Sequence, residues 1–106
     1  MEPGNARSQK LGTFNPKTWA AYSLNGELFI KRTAADPAKT YPDFQSCLEM
    51  YTAADFEELE TLGPITKVPS GATLEHVEQW SLHKNVRLSA ITDAEIDRAV
   101  GPLLGF

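Results

Sequence analysis

The sequence feature that most constrains the fold is the Asn25-Gly26 pair, which lies inside the stretch TWAAYSLNGELFIKRT. An Asn-Gly pair between two runs of aromatic and aliphatic residues is the strongest short-range signal for a β-hairpin, because both residues adopt positive φ at little cost. A two-residue turn here pairs Leu24 with Glu27 across the hairpin. Apolar side chains fall on both faces of this ribbon, which predicts a sheet covered on both sides.

The length of 106 residues allows one domain with one modest core. Hydrophobic residues make up 42% and charged residues 23%, which is typical of globular proteins. The polar stretch MEPGNARSQK predicts a flexible arm over residues 1–10, and we expect a single antiparallel β domain over residues 11–106.

The stretch ITDAEIDRAVGPLL predicts a C-terminal helix over residues 92–104. Thr92 and Glu95 have the spacing of a capping box at its start. Gly101-Pro102 is expected to bend or end the helix early, because proline cannot donate the backbone hydrogen bond that the helix needs.

Charge and cysteine content limit the possible partners. The formal net charge of −4 argues against nucleic acid and anionic membranes, since both need a cationic surface. No stretch approaches the length of about 20 apolar residues that spans a bilayer, and the polar start is not typical of a secretion signal. Cys47 is the single cysteine and no zinc-ligand spacing occurs, so we predict no metal, no cofactor and a cytoplasmic location.

The stretch EMYTAADFEELETLGP, residues 49–64, supports two structures. Local propensity favours a helix that begins at Thr52 and stops at Gly63. Alternation favours two strands with a turn at Ala53-Ala54, which places the side chains of one face together: Cys47, Glu49, Tyr51, Phe56, Glu58 and Glu60. Periodicity alone does not decide between these structures, and Ala-Ala is a poor choice for a primed turn.

A resemblance favours the strands. Over residues 10–83, the runs KLGTFNPKTWAAYSLNGELFIKR and YPDFQSCLEMYTAADFEELETLGPITKVPSGATLEHVEQWSL resemble the C-terminal part of the galactose mutarotase-like (aldose 1-epimerase-like) superfamily, in particular its uncharacterised bacterial branch. The resemblance implies strands of a large antiparallel β-sandwich whose concave face holds a sugar. The expected fold is therefore mainly β, an antiparallel half β-sandwich (a fragment of the mutarotase-like supersandwich) with one C-terminal α-helix.

The resemblance also implies a candidate base. Mutarotation needs a base at the anomeric hydroxyl and an acid at the ring oxygen, and mutarotases use a glutamate of a late strand as the base. Leu59-Glu60-Thr61 matches that position, so Glu60 is the candidate. Leu62 replaces the glutamine that usually follows, and the acid histidines of the family come from earlier strands, whereas His76 and His83 follow Glu60. A complete catalytic pair is therefore not expected in one chain.

Five residues are candidate ligand contacts, and each also has a structural interpretation. The acids favour a solvated outer face over a ligand-binding wall or an interface. Trp80 favours a core or interface aromatic over a platform for a sugar, and His76 favours a structural pair with Glu78 over a ligand contact or an acid. The candidates are Glu49, Tyr51, Glu58, His76 and Trp80.

The predicted function is a small carbohydrate-binding-like β domain, related to aldose 1-epimerases, that lacks the full catalytic machinery. The alternative is a protein-interaction or small-ligand-binding module on the same scaffold, since a fold does not determine a function. A sheet of this size leaves edges and a face uncovered, so we also predict a homodimer.

Overall fold

The computed structural model describes residues 1, 3–4 and 6–105. It is mainly β, with two antiparallel three-stranded sheets and one C-terminal helix, which confirms the predicted fold class. Residues 2, 5 and 106, which belong to the predicted arm and to the end of the predicted domain, lie outside the described residues. The elements are β1 (Gln9–Thr13), β2 (Lys17–Leu24), β3 (Glu27–Ala34), α1 (Pro42–Gln45), β4 (Leu48–Thr52), β5 (Glu57–Thr61), β6 (Gln79–Lys84) and α2 (Asp93–Leu104).

The Asn-Gly hairpin forms as predicted. Strands β2 and β3 have eight residues each and flank the turn directly. Asn25 and Gly26 have φ values of 52° and 78°, the pattern of a type I′ turn, whose twist matches that of the strands it joins. The sheet that contains this hairpin has the order β2-β3-β6.

Residues 48–52 and 57–61 are extended, so the strand prediction for the ambiguous stretch is confirmed. The predicted register is wrong by two residues, because Tyr51 pairs with Glu58 and not with Phe56. The turn is centred on Ala54-Asp55 and closed by a 2.9 Å hydrogen bond from Ala53 N to the Phe56 carbonyl. A turn there avoids the positive φ that Ala53-Ala54 would need as a primed turn. Since side chains alternate with period two, this shift leaves every side chain on its predicted face.

The three strands of this sheet have the order β1-β4-β5 and are antiparallel. β1 begins at Gln9, within the range predicted as an arm, and pairs Gly12 with Glu49. Beside it, a buried cluster of Ala35, Tyr41 and Cys47 packs against Phe14. The Cys47 thiol is fully buried and accepts a hydrogen bond from the Asn15 amide at 3.3 Å.

The short helix α1 is a left-handed turn. Asp43, Phe44 and Gln45 have φ values of 49°, 57° and 66°. Left-handed backbone costs non-glycine residues roughly 1–2 kcal/mol each, so other contacts must hold it. The Ser46 amide donates to the Pro42 carbonyl at 2.9 Å, and the Gln45 side chain accepts from the Tyr41 amide at 2.9 Å.

The segment ITKVPSGATLEHVEQWSLHK, residues 65–84, predicts a short strand from Ile65 and, after Pro69-Ser70-Gly71, a longer one; the first prediction is wrong and the second is confirmed only in part. A short strand was expected from Ile65, but that residue's amide donates to the Thr40 carbonyl at 2.8 Å, and residues 62–69 contain no strand. The strand expected across residues 73–83 is confined to β6. Its first half is irregular, and the Val77 carbonyl accepts from the Thr33 hydroxyl at 2.9 Å, where a ladder would supply a backbone amide.

Helix α2 forms as predicted, with Thr92 as its N-cap, accepting from the Glu95 amide at 3.3 Å. Of the two effects expected of Gly101-Pro102, a bend or an early end, the early end is wrong, because the helix continues to Leu104 and ends at Gly105, whose φ is 83°. Val100, Gly101 and Leu104 are buried, and this burial favours one further turn despite the proline. None of the described helices has the length and hydropathy that a bilayer span requires.

The chain divides into two compact units. The first contains Met1–Ala20 and Lys31–Trp80, and the second contains Ala21–Ile30 and Ser81–Phe106. The whole β1-β4-β5 sheet lies in the first unit, together with every candidate site residue.

Candidate functional site

Strand β5 separates the candidate residues into two groups. Glu49 pairs with Glu60 and Tyr51 pairs with Glu58 across β4 and β5, so these four side chains share one side of the sheet, here called the acidic face. Thr61 follows Glu60 directly and therefore points to the other side. His76 and Trp80 are connected to that other side.

Within the acidic face, Glu49 is unlike the other two acids. It is only 4% exposed, and its carboxylate lies 3.0 Å from the Lys10 ammonium, which also lies 3.4 Å from Asp43. Hydrogen bonds to Glu49 and Asp43 raise the pKa of Lys10. Glu58 and Glu60 are exposed to solvent. Glu49 is therefore neutralised by a cation from β1, and the three acids do not form one binding group.

Tyr51 contacts an aromatic partner despite the corrected register. Its ring centroid lies 5.9 Å from that of Phe56, across a diagonal of the hairpin. Diagonal neighbours of antiparallel strands are within reach of aromatic side chains. Tyr51 is half-buried, and its ring contributes to holding the hairpin end together.

On the opposite side, five side chains form a connected group, here called the Thr61 cluster. The Thr61 hydroxyl donates to Glu78 Oε1 and lies 2.8 Å from His76 Nε2. The second carboxylate oxygen of Glu78 accepts from Trp80 Nε1 at 2.8 Å. Lys31 Nζ lies 3.4 Å from Glu78 and 5.4 Å from the centroid of the Trp80 ring. The members are Lys31, Thr61, His76, Glu78 and Trp80.

Glu78 is the centre of this group. Burial raises the pKa of Glu78, but the hydrogen bonds from Thr61 and Trp80 and the charge of Lys31 outweigh burial and hold the pKa below its ordinary value. Its carboxylate is therefore ionised at neutral pH and acts only as an acceptor.

Lys31 is fixed at the base of the group. Its side chain is 13% exposed and that of Glu78 is 20% exposed, so this ion pair is largely shielded from water. The Lys31 ammonium also donates to the Leu59 carbonyl at 2.8 Å, which connects the cluster to the backbone of β5. A cation at this distance from an indole face adds a cation–π attraction.

Sequence reasoning selected His76 and Trp80 but missed Lys31 and Thr61. The sequence does contain a signal for Thr61. It directly follows Glu60 in a strand, and neighbouring residues of a strand point to opposite faces, so placing Glu60 on one face places Thr61 on the other. Among the described residues, no group of three or more His, Cys, Asp or Glu side chains is arranged to hold a metal ion.

No protein-family model, curated protein or solved structure matches this chain. The resemblance to the galactose mutarotase-like superfamily therefore stays a prediction, and the two faces of β5 are the basis for inferring a function.

Proposed function

We propose that this chain is a small carbohydrate-binding β domain, related to aldose 1-epimerases, that binds a sugar without turnover at the Thr61 cluster. The observation that carries the proposal is Trp80, which is 67% exposed although its Nε1 is hydrogen-bonded to Glu78. An indole fixed in this way offers the flat apolar surface on which the C–H face of a pyranose packs.

The polar neighbours of Trp80 favour a polar ligand over a lipid. Small-molecule sites combine apolar surface with a few fixed polar groups that orient the ligand. His76 is exposed beside the indole's partner Glu78, and Thr61 joins the two through hydrogen bonds. Hydroxyl groups of a sugar can exchange hydrogen bonds with such groups while its ring packs on the indole.

The separation of the two faces supports binding without turnover. Mutarotation needs a base and an acid that reach the same sugar ring. Glu60 and Thr61 point to opposite sides of β5, and His76 is bonded to Thr61. The candidate base and the nearest histidine therefore do not face one ligand.

The test is a sugar panel monitored by ¹⁵N NMR. We expect neutral pyranoses such as D-galactose, D-glucose and D-mannose to shift the amide signals of β6 and of residues 76–78 with millimolar affinity, a weak interaction of about −4 kcal/mol. Trp80→Ala should abolish these shifts, whereas Trp80→Phe, which keeps an aromatic surface, should retain part of the affinity. Exchange spectroscopy on the sugar should show no acceleration of anomeric exchange.

Two results would contradict this proposal. Binding that survives Trp80→Ala would place the sugar elsewhere, and accelerated anomeric exchange would mean that the domain is an epimerase. The absence of shifts for every sugar would favour the second candidate function.

That second candidate is a protein-interaction module, and a different observation favours it. Phe44 is fully exposed, on a left-handed turn that hydrogen bonds hold in place. An exposed aromatic on an ordered backbone has the properties of an interface anchor, since little backbone freedom is lost when it binds. A partner protein should then shift the amide signals of residues 43–46, and Phe44→Ala should weaken its binding.

We also propose a homodimer in the cytoplasm. All five residues of the outer strand β1 are exposed, and outer strands present unpaired backbone groups that favour pairing with another chain. Light scattering should give twice the chain mass, and Leu11→Lys, at an exposed position of β1, should reduce it to one chain. The free thiol of Cys47 suits a reducing compartment.

A further inference from the structure

The Thr61 hydroxyl has one proton, and its direction can be assigned. Glu78 carries a carboxylate whose pKa is below its ordinary value, so at neutral pH the carboxylate accepts and does not donate. The Thr61 proton therefore points to Glu78 Oε1. The Thr61 oxygen is left as an acceptor for its other neighbour, His76 Nε2 at 2.8 Å.

This assignment fixes the tautomer of His76. To donate to the Thr61 oxygen, Nε2 must carry the proton, and in the neutral ring Nδ1 then has a lone pair. Nδ1 lies beside Gly63, where a Cβ atom would be 3.4 Å from it. Glycine at this position leaves room next to Nδ1, and His76 is an exposed residue.

The Lys31 ammonium is already engaged. It has three protons, and its contacts are the Leu59 carbonyl at 2.8 Å, Glu78 at 3.4 Å and the Trp80 ring at 5.4 Å from the centroid. Binding a ligand anion at Lys31 would disrupt one of these contacts. Lys31 therefore stabilises the Thr61 cluster, and it does not bind a ligand anion without losing one of these contacts.

We propose that His76 Nδ1 accepts a hydrogen bond from a hydroxyl group of the bound sugar, and that the cluster selects uncharged sugars over sugar acids. This inference rests on the proposed function. A hydroxyl group can donate to the Nδ1 lone pair, whereas a carboxylate offers only acceptors. A ligand carboxylate would also lie near the negative charge of Glu78, without a free cation in the cluster to balance it.

The second histidine of the chain is an internal control. His83 Nε2 lies 3.0 Å from the Ser81 hydroxyl. Among the described contacts of Ser81, none is to a carboxylate that would fix the direction of the hydroxyl proton. The Ser81 hydroxyl can therefore either donate to His83 Nε2 or accept from it. His83 should therefore show a mixture of tautomers, where His76 shows one.

The first experiment measures tautomers in the sugar-free protein, by long-range ¹H–¹⁵N correlation NMR of the neutral imidazole rings at alkaline pH. We expect the Nε2–H form alone for His76. Thr61→Val removes the hydroxyl and should produce a mixture, whereas Thr61→Ser keeps the hydroxyl and should preserve the single form. A mixture at His76 in the unmodified protein would overturn the inference, whether or not sugars bind.

The second experiment measures binding of D-galactose and D-galacturonate, a pair that differs in one carboxylate. We expect at least about tenfold weaker binding of the acid, a difference of about 1.4 kcal/mol. Gly63→Ala, which places a methyl group in van der Waals contact with Nδ1 where the sugar hydroxyl would approach, should weaken D-galactose binding severalfold without changing the tautomer. Equal affinities, or normal binding by Gly63→Ala, would overturn the ligand role of Nδ1 while leaving the sugar site in place. Failure of both sugars and of the other neutral pyranoses would refute the proposed function, and with it the ligand role of Nδ1.

Discussion

Glu60 and Thr61 are neighbours in strand β5, yet their surroundings are opposite. Glu60 lies on the acidic face, exposed and opposite another glutamate, whereas Thr61 is half-buried and joins His76 to Glu78. The acidic face carries three glutamates, so it is the face that the sequence suggests as a functional site. The connected polar groups are on the other side.

This comparison shows that contacts, more than charge, distinguish a binding site from a solvated surface. An exposed carboxylate is hydrated and mobile, so it contributes little fixed electrostatic field. Glu78 is held by Thr61, Trp80 and Lys31, which gives its oxygens defined positions. Preorganised groups of this kind bind ligands at a lower entropic cost.

The largest effect that this comparison predicts is on stability, when Lys31 is replaced. Lys31→Met keeps most of the apolar stem but leaves Glu78 without its cation and the Leu59 carbonyl without its donor. We expect a loss of about 2–3 kcal/mol in the free energy of unfolding, because a shielded charge is left without its counter-charge. Urea denaturation measures this loss.

Lys67→Met is the matched control, since Lys67 is exposed in an irregular segment. Its effect should be within about 0.5 kcal/mol. Equal losses of unfolding free energy for the two substitutions would mean that the contacts of Lys31 stabilise the protein no more than those of an exposed lysine.

The strands of the candidate site were predictable, whereas its contacts were not. Alternation and the resemblance assigned residues 48–52 and 57–61 to strands with the correct faces, because face depends only on local period. The observed pairing register differs from the predicted one by two residues. Register depends on the position of the turn, and a turn at Ala54-Asp55 has no strong sequence signal.

Contacts between distant segments explain the remaining differences. Lys31 reaches the Leu59 carbonyl 28 positions away, and Lys10 is bound to the buried Glu49. Nothing in local periodicity indicates which lysine pairs with which glutamate. Helix α2 likewise continues beyond Gly101-Pro102 because its last turn is buried, which is a tertiary effect on a local preference.

The next effect tests how tightly the β1-β4-β5 sheet is packed at Gly12 of β1, which pairs with Glu49. A Cβ atom at Gly12 would lie 2.5 Å from Ser46 Oγ, which donates to the Asp43 carbonyl at 2.7 Å. Gly12→Ala should cost about 1–2 kcal/mol of unfolding free energy, because the Ser46 hydroxyl must move and lose that bond.

A double-mutant cycle identifies this cause. Ser46→Ala removes the hydroxyl, and a Gly12 Cβ would then meet the Ser46 Cβ position at 3.4 Å, so Gly12→Ala should cost less in that background. Additive effects would locate the strain elsewhere. Gly63→Ala, on the side of the Thr61 cluster, should have almost no effect on stability.

A smaller effect distinguishes the two faces by pH. Because the folded-state pKa of Glu78 is lowered from 4.5, its contribution to stability is present above that pH and is lost as pH falls through the folded value. Glu78→Gln should therefore destabilise the protein by up to about 1 kcal/mol at neutral pH, and by less near about pH 3. Glu75→Gln removes the same charge from an exposed position of the same segment and is the matched control. A constant difference between Glu78→Gln and the unmodified protein would contradict the stabilising role of the ionised carboxylate.

The smallest expected effect is the most informative about chemistry. Glu60→Gln should change the unfolding free energy by less than about 0.5 kcal/mol, because Glu60 is exposed and the glutamate opposite it, Glu49, is already paired with Lys10. It should also leave sugar affinity unchanged, since Glu60 and the Thr61 cluster are on opposite sides of β5. NMR titration of Glu60→Gln and Glu58→Gln with the same sugar measures this, because both substitutions remove one charge from the same face. A loss of affinity confined to Glu60→Gln would make the acidic face the sugar site, and the Thr61 cluster would then be a structural connection between β5 and the segment before β6.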